Sequence, residues 1–207
     1  MNKDLLCIMQ VHPNLPHLFA TGGEEQDLCI WDVTKYDESH PSNFKPIWEA
    51  RNVPHDYLDL RVPIWINDLV WDIKAEAKEH YQLITVTGHH QVRIYNTSQR
   101  KPLSSVAFGE HPLKKICLDS NSKCIGIADN TGGLTKLDPL SGKVECRFKG
   151  IPGAVSQSYF CSKKPLLVTV GIDRHLRVFE GIEKGRLIQS VISNLHRRIL
   201  SKDSLVY

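Results

Sequence analysis

Several groups of residues in this 207-residue sequence carry side chains able to do chemistry or grip a partner. The adjacent pair His89-His90 suggests a metal site. Zinc needs four converging ligands, or three and a water, whereas neighbouring residues on a strand point to opposite faces. No Cys or Asp at ligand spacing accompanies the pair, so no metal is expected and both residues read as turn histidines and candidate partner contacts. Asp59, Arg61 and Trp65 put a carboxylate, a guanidinium and an indole within seven positions. Arg and Trp are enriched at protein–protein hot spots, which makes these three candidate docking residues. The alternative is an Asp59–Arg61 ion pair pinning a loop, with Trp65 packed in the core. Arg93, Asp173 and Arg174 join the candidate docking set. The basic pairs Lys114-Lys115, Lys163-Lys164 and Arg197-Arg198 are candidate phosphate contacts, since neutralising phosphates is how basic side chains gain RNA affinity; each is also ordinary surface by composition.

Signatures of catalysis are missing. The sequence holds no phosphate-cradling G-x-x-x-x-G-K-[ST], no G-x-G-x-x-G, no H-E-x-x-H and no G-x-S-x-G. A binding module with no catalytic residue and no cofactor is therefore expected. None of the six cysteines lies in a C-x-x-C pair, and most fall in apolar, strand-like stretches, as reduced thiols of an intracellular protein do.

The elements that position these residues follow from an internal repeat. Four segments share an apolar run, a small-residue turn, and a short alternating strand with an aromatic or apolar end. They are His17–Gly23 with Leu28–Asp32, Gln82–Gly88 with Val92–Asn96, Lys123–Ala128 with Leu134–Asp138, and Pro165–Gly171 with Leu176–Phe179. Tyr95, Leu137 and Phe179 are spaced 42 residues apart, inside the roughly 40–45-residue period of WD propellers. Trp31 precedes Tyr95 by 64, which leaves room for an insertion, placed at about 35–61. Alternation such as Val92/Ile94 against Arg93/Tyr95 marks strands with two distinct faces. Asp173, six residues before Phe179, holds the position of a turn aspartate; its counterparts by spacing are Glu25, His89 and Thr131. The expected fold is all-β: a WD40-type β-propeller of about four blades over residues 1–180, followed by a closing strand and C-terminal segment over 181–207. In that expectation the first unit lacks its own outer strand, which would lie before Met1, and Leu187–Ile192 is the segment able to supply it.

The block Leu58-Asp59-Leu60-Arg61-Val62-Pro63-Ile64-Trp65, with Thr87–Arg93 and Gly171–Arg174, resembles the family of WD repeat-containing protein 74. Its members are nucleolar WD-repeat factors that help assemble the large ribosomal subunit. The resemblance implies that these units are the C-terminal half of a seven-bladed ring, incomplete here and without the family's Lys/Arg-rich tail. It also implies a scaffold working in the nucleus and nucleolus in pre-rRNA processing, with pre-60S particles, their assembly factors and an AAA-type ATPase as partners. The residues themselves leave open a generic WD adaptor of another complex, such as a ubiquitin ligase, and a hydrolytic propeller.

Charge is uneven along the chain. Residues 1–103 carry 10 Lys/Arg against 14 Asp/Glu and residues 104–207 carry 16 against 9, within an overall +3. A basic half suits an acidic partner such as RNA. The N-terminus lacks a signal-peptide apolar stretch and the apolar runs are strand-length, so a soluble protein made in the cytosol, without membrane contact, is expected.

Overall fold

The computed structural model describes residues 5–55, 57–73, 80–119, 123–180 and 185–192. Among them sixteen strands form four sheets of four. The first holds β1 (Leu5–Val11), β2 (Leu18–Glu24), β3 (Gln26–Asp32) and β4 (Trp48–Glu49). The second holds β5 (Ile66–Trp71), β6 (Gln82–Thr87), β7 (Gln91–Asn96) and β8 (Ser104–Ala107). The third holds β9 (Leu113–Leu118), β10 (Ile125–Asp129), β11 (Leu134–Leu137) and β12 (Val144–Phe148). The fourth holds β13 (Val155–Phe160), β14 (Leu166–Gly171), β15 (His175–Glu180) and β16 (Arg186–Ile192). Every sheet is an antiparallel meander in chain order, which is the blade of a propeller.

Side chains alternate between the two faces of each strand, and the blades use that alternation to stack. Ala20, Leu28 and Ile30 of blade one meet Leu69, Trp71, Leu83 and Tyr95 of blade two. The other face of blade two, Ile84, Val86, Val92 and Ile94, meets Ile116, Ile125, Ile127 and Leu137 of blade three. Ala128 and Leu134 of blade three then meet Phe160, Leu167 and Phe179 of blade four. Neighbours such as Leu83 and Ile84 thus serve opposite interfaces. Full burial of one such side chain stabilises by about 1.5–3 kcal/mol, so the junctions between sheets, rather than any sheet alone, supply the core.

Two expectations about strands need correction. The stretch from about 35 to 61 is not one insertion: Trp48 and Glu49 pair with Ile30 and Cys29 as the outer strand of blade one. Blade one therefore has its own fourth strand. Correspondingly, Leu187–Ile192 does not complete the first unit; it pairs with β15 as the outer strand of blade four. Backbone polarity explains both, because a blade whose third strand lacked a neighbour would leave a row of unpaired N–H and C=O groups.

Candidate functional site

In a four-stranded meander the turn between the second and third strands lies at the same end as the link into the next blade. The β2–β3, β6–β7, β10–β11 and β14–β15 turns therefore share a rim with the links that lead into β5, β9 and β13. A repeated hydrogen bond ties turn to link: Gly88 N–H donates to Trp65 O at 2.8 Å, Asn130 N–H to Pro112 O at 3.1 Å, and Ile172 N–H to Ala154 O at 3.1 Å. The donors are 42 residues apart, the repeat read from the sequence. Each of the four turns also contains one left-handed residue, with φ of 56° at Glu25, 49° at His90, 100° at Gly132 and 65° at Arg174. Tight hairpins need positive φ, and for an L residue that costs about 1–2 kcal/mol. Glu25 thus takes the place of His90, not His89, because a register shift between Thr21 and Gly23 moves the first turn one residue toward β2.

The linker from β4 to β5 is fixed on both sides. Glu25 N–H donates to Ile64 O at 2.9 Å, and the Arg61 guanidinium pairs with the Glu25 carboxylate. On the blade-two side, Asn52 Nδ2 donates to Val62 O at 2.6 Å, and Arg93 Nη1 donates to Asn52 Oδ1 at 3.4 Å. Arg93 also donates twice to Gln91 Oε1, at 3.0 and 2.7 Å. With 2% exposure Arg93 is out of a partner's reach, which corrects its reading as a docking residue. It positions the linker instead. Beside it burial, with the Glu49 charge, holds the Asp27 carboxyl above its ordinary range.

Trp65 lies half-buried at this rim rather than packed in the core. The His89 ring meets its edge at 5.9 Å, and the Lys114 ammonium stands 5.1 Å from its ring centre. A cation over an indole is worth about 0.5–1 kcal/mol when exposed. Gly88 makes this arrangement possible, since a Cβ there would come within 2.3 Å of the indole carbons. Asp59 does not pair with Arg61: its carboxylate is 2.9 Å from His55 Nδ1, in an exposed turn where Asp59 has φ of 58°. Arg61, Glu25, Trp65, His89 and Lys114 thereby form a strip of cations, a carboxylate and aromatics across three blades.

On blade four, Asp173 turns inward. Its carboxylate accepts from His175 N–H at 3.2 Å and clasps the Arg177 guanidinium, which is buried. The hydrogen bond from Arg177 holds the Asp173 carboxyl below the usual range. Arg174, next to it, is exposed. Blade three also has a turn aspartate: Asp129 Oδ1 accepts from Thr131 N–H at 2.8 Å and Gly133 N–H at 2.9 Å. Spacing to the strand-end residue missed it, because the carboxylate reaches the same backbone from two positions earlier than Thr131.

The basic pairs do not converge. Lys115 reaches Asp68 at 3.6 Å, beneath the surface, while Lys114 stands on Trp65. Lys163 and Lys164 are exposed in the β13–β14 turn, at the opposite end of the blades, and Arg197-Arg198 lie outside the described residues. Among the described residues no group of three or more His, Cys, Asp or Glu is placed to hold a metal ion. All six cysteines are free; Cys7 is exposed, while burial pushes the Cys117 thiol up to about 12 and that of Cys29 to about 11. At neutral pH these two are thiols, and thiolates are the reactive form.

Four meander blades stacked face to face, with functional side chains presented on turns at one rim, define a WD-type β-propeller chain. No protein-family model matches it. It is 35% identical over 175 residues to WD repeat-containing protein 74 of Bos taurus and 37% identical over 175 residues to that of Homo sapiens, in each case 84% of this chain and 42% of the relative. It is also 30% identical over 198 residues to the ribosome biogenesis protein nsa1 of Schizosaccharomyces pombe, 86% of this chain and 51% of the relative. The chain belongs to the WD-repeat proteins as a homologue of this group, and it spans about half the length, or less, of the curated relatives it matches.

Proposed function

We propose that this chain is a non-catalytic WD-repeat scaffold in the assembly of the large ribosomal subunit and in pre-rRNA processing, acting in the nucleolus. The observation that carries the reading is its similarity, over more than four-fifths of its length, to proteins of which the fungal members are named for ribosome biogenesis. The rim favours the same role: Arg61, Trp65, His89 and Lys114 offer a cationic and aromatic strip of the kind that docks proteins, and the linker pinned by Arg93 keeps that strip rigid. Asp59, His90, Asp173 and Arg174 flank it on turns of the same end. Pre-60S particles with their assembly factors are the partners, an AAA-type ATPase among them. Direct pre-rRNA contact would run through Lys114 and the exposed Lys163-Lys164 turn.

Nuclear extract from cells expressing the tagged chain, run on a sucrose gradient, tests this. The chain is expected to co-sediment with pre-60S particles and to co-purify with their assembly factors. Recovery solely at the top of the gradient would overturn the reading.

A further inference from the structure

The linker from β4 to β5 closes on itself at the junction of blades one and two. Asn52 Nδ2 donates to Val62 O at 2.6 Å across ten positions, and Val53 N–H donates to Asn52 Oδ1 at 2.8 Å. Arg51 N–H donates to Arg100 O of blade two at 2.8 Å, and Glu25 N–H of blade one donates to Ile64 O at 2.9 Å. Both ends of the loop are therefore anchored. Within it the Asp59 carboxylate lies 2.9 Å from His55 Nδ1. Compact surface loops whose ends are joined in this way are frequently functional. What the loop presents is apolar: Tyr57 is 93%, Leu58 60% and Leu60 59% exposed, three of four successive residues. Apolar side chains scattered singly over a surface are ordinary, whereas a run of them on one anchored turn marks an interaction site.

We propose that this loop is a plug: Tyr57, flanked by Leu58 and Leu60, enters an apolar pocket on a partner protein, and Lys or Arg side chains at the pocket edge pair with Asp59. The inference rests on the docking role proposed above for this rim and names the group that docks. Charge selects the partner. Residues 52–60 hold two Asp and no Lys or Arg. The turn beside them adds the exposed Glu24 and Glu25, and Arg61 is already paired with Glu25. Phosphate backbones are bound by cations, which the loop lacks, so RNA is not the occupant. An acidic, apolar plug complements a basic protein surface instead. Tyrosine is among the residues enriched at the hot spots of protein interfaces, where a buried anchor carries much of the binding energy. A loop fixed before binding also loses little conformational freedom when it docks.

Photo-crosslinking reads the contact directly. Tyr57 is replaced by benzoylphenylalanine in the tagged chain expressed in cells, and adducts are sequenced after irradiation and gradient separation. The expected adduct is with one protein, at an apolar segment flanked by Lys or Arg. Against that protein in purified form, Tyr57→Ser combined with Leu60→Ser should bind roughly tenfold more weakly or worse, at unchanged circular dichroism. Asp59→Asn suits the φ of 58° at this position and removes only the charge. It should weaken binding at low salt and flatten the salt dependence, which a merely structural role would not do. Adducts with RNA, with this same polypeptide or with nothing would overturn the proposal, as would a double variant that binds like the unaltered chain. The ribosomal reading fails separately. An adduct of the expected kind in fractions free of pre-60S material upholds the plug and overturns that reading; co-sedimentation without any adduct does the reverse.

Discussion

Blades two and four make the same turn at the same register and fill it in opposite ways. In blade two the residue before the first strand is Trp65 and the turn residue bonded to it is Gly88; in blade four the corresponding pair is Ala154 and Ile172. Bulk has moved from the strand to the turn. Where Trp65 covers Gly88, His89 and the Lys114 ammonium gather on the indole; where Ala154 stands in its place, Ile172 is exposed. The arginines beneath diverge as well. Arg93 and Arg177 are 84 residues apart and both buried. Arg93 reaches out to Asn52 in the linker from blade one, while Arg177 closes on Asp173 of its own turn. One repeat position is thus a tie between blades in one place and a private clasp in another. A propeller makes this possible because the meander fixes the backbone and leaves each rim side chain to its local neighbours.

The largest effect that separates the two regions is expected from the arginines. Arg93→Ala removes three hydrogen bonds of a buried cation and should cost about 3 kcal/mol in urea unfolding. It should also raise amide exchange across residues 51–65. Arg177→Ala, whose partner keeps some contact with water, should cost about 1–2 kcal/mol and loosen only residues 171–176. Equal losses, or no change in the linker, would erase the distinction between tie and clasp.

A smaller effect separates the turn residues. Gly88→Ala places a methyl where the Trp65 ring lies and should cost about 2 kcal/mol, as overpacking does, with a shift in tryptophan emission. Ile172→Ala at the matching exposed site should stay within about 0.5 kcal/mol. A silent Gly88→Ala would mean that Trp65 is free to leave the turn.

Acid separates the regions in another way. The folded Asp173 carboxyl titrates below its unfolded value of about 3.9, so its clasp contributes fully above that pH and is lost as pH falls through the folded value. Arg93 bonds to two amides, Gln91 and Asn52, which do not titrate. Corrected for intrinsic rates, amide exchange at pH 3 against pH 6 should rise first at residues 171–176; a linker that opens earlier contradicts the assignment. The half-buried Asp27 carboxyl, shifted upward, contributes in the reverse sense: its share is present in acid and lost as pH rises through the folded value.

Arg61→Ala is expected to change stability little. Its pair with Glu25 is exposed, and such pairs contribute about 0–1 kcal/mol, so the melting temperature should barely move. Binding to pre-60S particles should nonetheless weaken by roughly 2 kcal/mol or more if Arg61 anchors a partner. A variant that unfolds, while Trp48→Ala is silent, would make the Leu58–Trp65 block a structural pin only.

Much of the fold was legible in the sequence because β-structure writes its period into side chains. Turn signals and the 42-residue interval between Tyr95, Leu137 and Phe179 give four units, and alternation within each gives two faces. Trp48-Glu49 escaped notice because two residues are too few to show a period, and only pairing with Cys29 and Ile30 makes them a strand. The candidate site was legible in residue type and rim but not in contacts. Arg61 stood out, yet its partner Glu25 is 36 positions away; Arg93 looked like a surface cation, and Asn52 and Gln91 bury it. The sequence by itself determined that this chain makes repeated, two-faced sheets with polar turns, since propensity and alternation act over a few residues. Only the tertiary structure decided which face of each sheet is covered and which rim side chains meet, because both depend on how neighbouring blades stack, and that is set by residues tens of positions apart.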